Sequence, residues 1–176
     1  MNRIHIVGRK NSGKTTLIVE LVDCLTRLGL HVGTVKHTHH NHELDTPGKD
    51  SFRHREAGAH AVGILSPKMN AIFWPQETTD DADSLHDARY DQFQSLMHDC
   101  DVVLVEGDTS TSATKVEVWR SENNTIPIIE HDASIEAIVT DDDLPNGVPI
   151  FPRRNLSELV KWLVSKLEIQ LPVKNQ

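Results

Sequence analysis

The chain has little sulfur, no long apolar run and a shortage of basic charge. Two cysteines, Cys24 and Cys100, stand far apart in 176 residues and match no metal-ligand spacing. That excludes a disulfide framework and a cysteine zinc site, and suits two reduced, buried thiols in a reducing cytoplasm. No apolar stretch approaches the ~20 residues a membrane-spanning helix needs. The amino terminus reads as a strand rather than as a charged region before a long apolar core, so no signal peptide is expected. With 18 Lys and Arg against 26 Asp and Glu, the formal net charge is -8. This argues against a broad nucleic-acid-binding face. We see no internal repeat and no linker long enough to divide the chain. The expectation is one soluble, cytoplasmic domain, 1–176, large enough to bury its own core.

What is present is concentrated at the start. Arg3-Ile4-His5-Ile6-Val7 predicts a buried strand, followed by Gly8-Arg9-Lys10-Asn11-Ser12-Gly13-Lys14-Thr15. This segment fits the Walker A pattern G-x-x-x-x-G-K-[ST] at every fixed position. Leu17, Leu21, Val22, Leu25 and Leu28 then recur at helical spacing, with Gly29 as a stop signal. Glycines at both ends of the loop let its amide N–H groups turn inward as an anion-binding nest at a helix N-terminus. Lys14 adds a mobile positive charge for the β- and γ-phosphates, and Thr15 a hydroxyl for Mg²⁺. A nucleotide-phosphate site is expected, held by Gly8, Asn11, Ser12, Gly13, Lys14, Thr15 and Thr16.

A second strand, Leu30–Lys36, makes a βαβ unit with the first and calls for a largely parallel sheet. A polar loop, 37–50, follows it. Ser51 to Gly58 predicts a short charged helix, and Ala61–Leu65 with Asn70–Trp74 a hairpin. Gln76 to Ser84 reads as an exposed acidic segment. Tyr90, Phe93, Leu96 and Met97 mark a further helix. Asp101-Val102-Val103-Leu104-Val105-Glu106-Gly107 reads as a central parallel strand, covered on both faces. Val116, Val118 and Trp119 suggest an edge strand, and Ile126–Ile129 and Ile135–Thr140 further strands. Leu156–Leu167 is the closing helix, and a frayed tail starts at Pro172. The fold class is α/β, P-loop NTPase-like, with a mostly parallel sheet, helices on both faces and a small β-hairpin insertion.

Ligands of open α/β sheets bind beyond the carboxyl ends of the strands, so Glu106 is the expected second contact of the metal beside Thr15. Asp45 and Asp50, in the loop after the second strand, are candidates to reach the metal or position an attacking water. Asp50 has a competing role as a helix cap. Six of eleven histidines fall between His37 and His60 (His37, His39, His40, His42, His54 and His60) but fit no standard zinc spacing. Arg53, His54, Arg55 and Glu56 form a charged patch fit for an anion. Lys115-Val116-Glu117 loosely matches a guanine-reading Asn/Thr-Lys-x-Asp element, with Glu in place of Asp.

Several of these stretches together resemble the molybdopterin-guanine dinucleotide biosynthesis adaptor family. They are Gly8–Thr16, Val32–His40, Asp45–Arg53, Arg55–Ala59, Val102–Gly107 and Lys115–Arg120, spread over about residues 1–143. The resemblance implies a homodimeric GTP-binding protein with Mg²⁺ and weak hydrolysis. It also implies an adaptor for the guanylyltransferase that joins GMP to molybdopterin, with molybdopterin itself as a further partner. Carried over by position, Asn11–Thr16 would hold phosphates, Thr15 and Glu106 the metal, and Asp45 and Asp50 would lie near the γ-phosphate. After Val-Glu-Gly the family usually carries Phe-Lys; this chain has Asp108-Thr109, which removes a basic contact from that loop. Two alternatives stay open from the residues. One is a small metabolite kinase clamping phosphates with Arg53, Arg55, Arg153 or Arg154, and the other a GTP-driven metallochaperone using the histidine loop.

Overall fold

The structure, a computed structural model, describes residues 1–75, 87–144 and 147–172. The expected acidic segment Gln76–Ser84 and the tail beyond Pro172 lie outside them. The chain clusters into two compact units, Met1–Thr38 with His86–Gln176, and His39–Leu85.

The first unit contains a six-stranded sheet. Its strands are β1 (Arg3–Val7), β2 (Val32–Lys36), β5 (Val102–Glu106), β6 (Lys115–Val118), β7 (Ile135–Val139) and β8 (Ile150–Phe151), in the order β2-β5-β1-β6-β7-β8. Every neighbouring pair is parallel. Period-two alternation sorts the side chains of β1: Ile4 and Ile6 face one layer, His5 and Val7 the other. On the first face, Ile4, Ile6, Val102, Leu104, Val116, Val118, Ala137 and Val139 join one core with α1 (Lys14–Arg27) and α3 (Ser157–Lys166). Of the face predicted from spacing, helix α1 buries Leu17, Leu21 and Leu25, with Val22 and Leu28 partly buried and Ile18 buried beside them, and Gly29 ends it at φ +88°. Asn155 Oδ1 accepts the Ser157 N–H at 3.1 Å at the start of α3. Both cysteines are unpaired and half-buried rather than buried. Among the described residues no helix is long and apolar enough to cross a membrane.

Three expectations are corrected. Strand β6 is not at an edge: it lies between β1 and β7 with all four residues buried, Lys115 and Glu117 included. Ile126–Ile129 is not a strand. The buried Glu117 carboxylate accepts the N–H groups of Ile128 and Ile129, at 2.7 and 3.1 Å, and curls that segment into a 3-10 turn, Ile128–Glu130. The helix expected around Tyr90 is a 3-10 segment, Ala88–Phe93.

That 3-10 segment covers the second face of the sheet. Tyr90 packs with Val103 and Val105 and meets the fully buried His5 edge-on, ring centroids 5.2 Å apart. Arg3 Nε donates to His5 Nε2 at 3.2 Å, leaving Nδ1 to donate to the Gly107 carbonyl at 3.3 Å. Arg3 also reaches Asp87 at 2.6 Å, and Asp87 accepts from Thr111 and from both the N–H and hydroxyl of Ser112. Asp108, at φ +62°, turns its carboxylate inward to accept from Tyr90 at 2.5 Å and Arg89 at 2.6 Å. Lys115 Nζ donates to the Thr109 carbonyl at 2.8 Å and to Asp132 at 2.9 Å. The Asp108–Thr114 loop is therefore stapled to the sheet through its acid and its carbonyls.

Burial holds the His5 pKa down at about 4, against 6.5 for an ordinary imidazole; nearby Arg3 acts in the same sense, and Asp108 and the Gly107 and Asp108 backbone oppose it. Between these values the unfolded chain binds a proton that the folded one refuses, so stability falls as pH drops from about 6.5 to 4. The full effect is on the order of 3 kcal/mol. Glu117, held above the ordinary carboxyl range by burial, acts in the opposite sense over part of that window. His5→Gln should flatten the fall, measured as urea midpoints from pH 7 to 4. An unchanged slope in the variant would remove His5 as its source.

In the second unit, α2 (Asp50–Glu56) precedes a two-stranded antiparallel sheet of β3 (Val62–Leu65) and β4 (Asn70–Phe73). This is the expected hairpin, and it forms a sheet of its own.

Candidate phosphate site

The loop between β1 and α1 takes the shape its glycines permit. Gly8 stands at φ +148° and Gly13 at +95°, and Asn11 is left-handed at +63°. A methyl group on Gly8 would lie 2.4 Å from the Val118 carbonyl oxygen and 2.7 Å from Ser12 Oγ, so no side chain fits. Ser12 is 1% exposed, and its hydroxyl has no hydrogen-bond partner among the described residues. A buried, unsatisfied hydroxyl costs on the order of 1–3 kcal/mol, and a loop that keeps one points to a polar ligand.

Lys14 Nζ donates to the carbonyls of Gly8 at 2.9 Å and Arg9 at 2.8 Å, folding back across the loop. Burial lowers its pKa, opposed by Glu106 and assisted by Lys36. On the first turn of α1, Thr15 Oγ1 donates to Glu106 Oε1 at 2.7 Å, and Lys36 Nζ lies 3.9 Å from the same oxygen. Three elements thus converge on one spot: α1 brings Lys14 and Thr15, β5 brings Glu106, and β2 brings Lys36. Adjacency of β2, β5 and β1 in the sheet sets this up, since their carboxyl ends share one edge. A hydroxyl touching a carboxylate beside this glycine-built loop is a donor set suited to a hydrated divalent cation on phosphate oxygens. Among the expected residues, the structure brings together Gly8, Ser12, Gly13, Lys14, Thr15 and Glu106. Asn11 supplies the left-handed turn, and Thr16 follows on α1.

Asp45 and Asp50 belong to the second unit, where their contacts are local. The Asp45 side chain accepts from the Thr46 N–H at 2.8 Å and the Ser51 hydroxyl at 2.9 Å, with Arg55 3.7 Å from its other oxygen. Asp50 is the first residue of α2 rather than its cap, which is Lys49. Arg55 is engaged by Glu43 at 2.6 Å.

Other candidates find structural employment. Glu117 and Lys115, the loose guanine-reading match, are buried and engaged by the contacts described above, which turns both away from a ligand. Arg153, one of the kinase-type clamp candidates, ion-pairs with Glu20 on α1. Among the described residues no three His, Cys, Asp or Glu side chains come together as a metal set. Two contributors have no assignment from sequence. Lys36 carries a findable signal, as a cation ending the strand beside β5. Arg120 lies against Gly13: a methyl group there would sit 3.2 Å from its Nη2 and 3.6 Å from Cζ and Nε. Its signal is its place at the carboxyl end of β6, visible only once β6 is known to adjoin β1.

Comparison with known proteins bears on the fold and the family. The family model described as "Molybdopterin guanine dinucleotide synthesis protein B" (MobB) matches residues 3–141. A Haemophilus influenzae protein named molybdopterin-guanine dinucleotide biosynthesis adapter protein is 35% identical over 137 residues, covering 78% of this chain and 73% of its own length. The Escherichia coli protein of the same name is 29% identical over 160 residues, covering 90% and 89%. Among solved structures, a MobB homologue from Bacillus stearothermophilus superposes with a TM-score of 0.67 at 26% identity, covering 97% of this chain and 100% of that one. A crystal structure of molybdopterin-guanine biosynthesis protein B gives a TM-score of 0.69 at 28% identity, covering 94% and 99%. With the family model spanning the sheet from β1 through β7, this chain belongs to the molybdopterin guanine dinucleotide synthesis protein B family.

Proposed function

We propose that this protein is a GTP-binding adaptor of molybdopterin-guanine dinucleotide biosynthesis, acting as a homodimer beside the guanylyltransferase that joins GMP to molybdopterin. The observation that carries the nucleotide reading is the Thr15 hydroxyl set 2.7 Å from the Glu106 carboxylate, beside a glycine-built loop spanned by Lys14. The adaptor reading is supported by the names of the relatives above.

In this reading the amides of Asn11–Thr16 hold the phosphate chain, Lys14 leaves the loop carbonyls for phosphate oxygens, and Thr15 and Glu106 hold Mg²⁺. Bound there, the ion would neutralise charge on the β- and γ-phosphate oxygens. Lys36, 3.9 Å from Glu106, helps to hold that carboxylate in place. Intrinsic hydrolysis is slow in this reading, because no residue of the loop is placed as an arginine finger or a water-positioning glutamine.

Labelled GTP and ATP titrated against the protein, each with and without Mg²⁺, test it. GTP should bind at micromolar concentration or tighter and be preferred to ATP. Glu106→Ala should lose about tenfold or more in the presence of Mg²⁺ and little in its absence. Equal losses in both would make Glu106 a merely structural acid, and no binding of either nucleotide would overturn the proposal. The kinase alternative requires rapid turnover once an acceptor is supplied, whereas an adaptor stays slow without its partner.

A further inference from the structure

We propose that Arg120 is a nucleotide-binding residue, reaching the α- and β-phosphates from the side of the loop opposite Lys14; this rests on the nucleotide reading above. The end of β6 and the residues after it run along the loop. The Val118 carbonyl, the last of β6, closes on Gly8, and the Arg120 guanidinium lies along Gly13. Three atoms of that guanidinium, Nη2, Cζ and Nε, come within 3.2–3.6 Å of where a Gly13 methyl would be. The group is therefore laid flat on the backbone that opens α1, where helix N–H groups point outward and negative charge is favoured.

The guanidinium's bonding is lopsided. Nη1 is bound to Glu122 at 3.0 Å. Nη2 and Nε, the nitrogens nearest Gly13, have no hydrogen-bond partner among the described residues. The side chain is 39% exposed, so a ligand can reach it. Glu122 fixes one end of the fork and the loop backbone fixes its plane, which leaves two parallel donors ready for phosphate oxygens. The unpartnered buried hydroxyl of Ser12, in the same loop, is an independent sign that the loop is built around a polar guest. Lys14 folds toward Gly8 and Arg9, at the other end of the loop. Arg120 at Gly13 therefore serves the part of the phosphate chain that GTP and GDP share, while Lys14 serves the β- and γ-phosphates.

The test measures GTP and GDP affinity, at several salt concentrations, for the wild type, Arg120→Met and Arg120→Lys. Methionine keeps the aliphatic stem against Gly13 and so preserves packing. Arg120→Met should lose about 10- to 100-fold for GTP and GDP alike, with a shallower salt dependence and an unchanged melting temperature without nucleotide. Arg120→Lys should recover part of the loss and not all, since a point charge cannot reproduce the fork. Wild-type affinity for both nucleotides in Arg120→Met would overturn the assignment while leaving the phosphate site intact. A loss accompanied by a lowered melting temperature and an unchanged salt slope would overturn it in favour of packing. No binding by the wild type would remove this proposal together with the reading it rests on.

Discussion

Lys14→Ala is expected to weaken GTP binding by about 100-fold or more and to leave the circular dichroism spectrum unchanged. The ammonium lies within 2.9 Å of two of the loop's carbonyls. It is half-buried, and burial lowers its pKa, so solvent screens it less than a free lysine and its attraction for a phosphate is correspondingly stronger. Without ligand, its two contacts go to carbonyls at a half-open surface. Each contributes about 1 kcal/mol, so stability should fall only slightly. GDP, lacking the γ-phosphate, should lose less than GTP. Isothermal titration with both nucleotides reads the contrast, and a variant that keeps GTP affinity would disprove the assignment of this loop to phosphate.

Gly8→Ala should do more damage to the fold than Lys14→Ala does. The new methyl would lie 2.4 Å from the backbone oxygen of Val118 at a φ of +148°. Neither partner can yield cheaply: Val118 is the last residue of β6, and the preceding Glu117 is registered with Val7 in the β1–β6 ladder. Relief requires either parting these strands or displacing the loop, and the buried Ser12 hydroxyl, 2.7 Å from the same methyl, blocks part of the second route. We expect a loss on the order of 3 kcal/mol or more, seen as a lower urea midpoint, together with loss of nucleotide binding. Gly63→Ala is the control, since nothing lies within 4 Å of its methyl position and its φ needs no glycine; it should be close to neutral. If Gly8→Ala matched that control, the loop geometry described here would be wrong.

Much of the geometry of the candidate phosphate site is legible in the sequence because it is local. Glycines at Gly8 and Gly13, a lysine, a hydroxyl and a flanking strand and helix follow one another along the chain, and each has a backbone reason for being there. Glu106 is legible for a similar reason: it ends a run of four buried aliphatics, and only a central parallel strand looks like that. What escapes depends on neighbours that sequence does not reveal. The Ile126–Ile129 run has the composition of a strand, yet the Glu117 carboxylate captures two of its amides and Pro127 removes a donor, so no ladder forms. Strand β8 is two residues long, too short for any period to register. Asp108 reads in sequence as the mere loss of a basic contact, whereas its left-handed backbone and inward carboxylate make it the anchor of the following loop. Arg120 ends one of the stretches that carry the family resemblance but has no role assigned there; its place beside the loop follows from the adjacency of β6 and β1.

The sheet draws all six strands from 1–38 and 86–176, although β2 and β5, neighbours in space, are separated in sequence by the whole of His39–Leu85. Among the described residues, none of the strand pairing of this sheet is written in the intervening stretch. Lengthening or trimming that stretch would therefore remove no rung of the sheet's ladders.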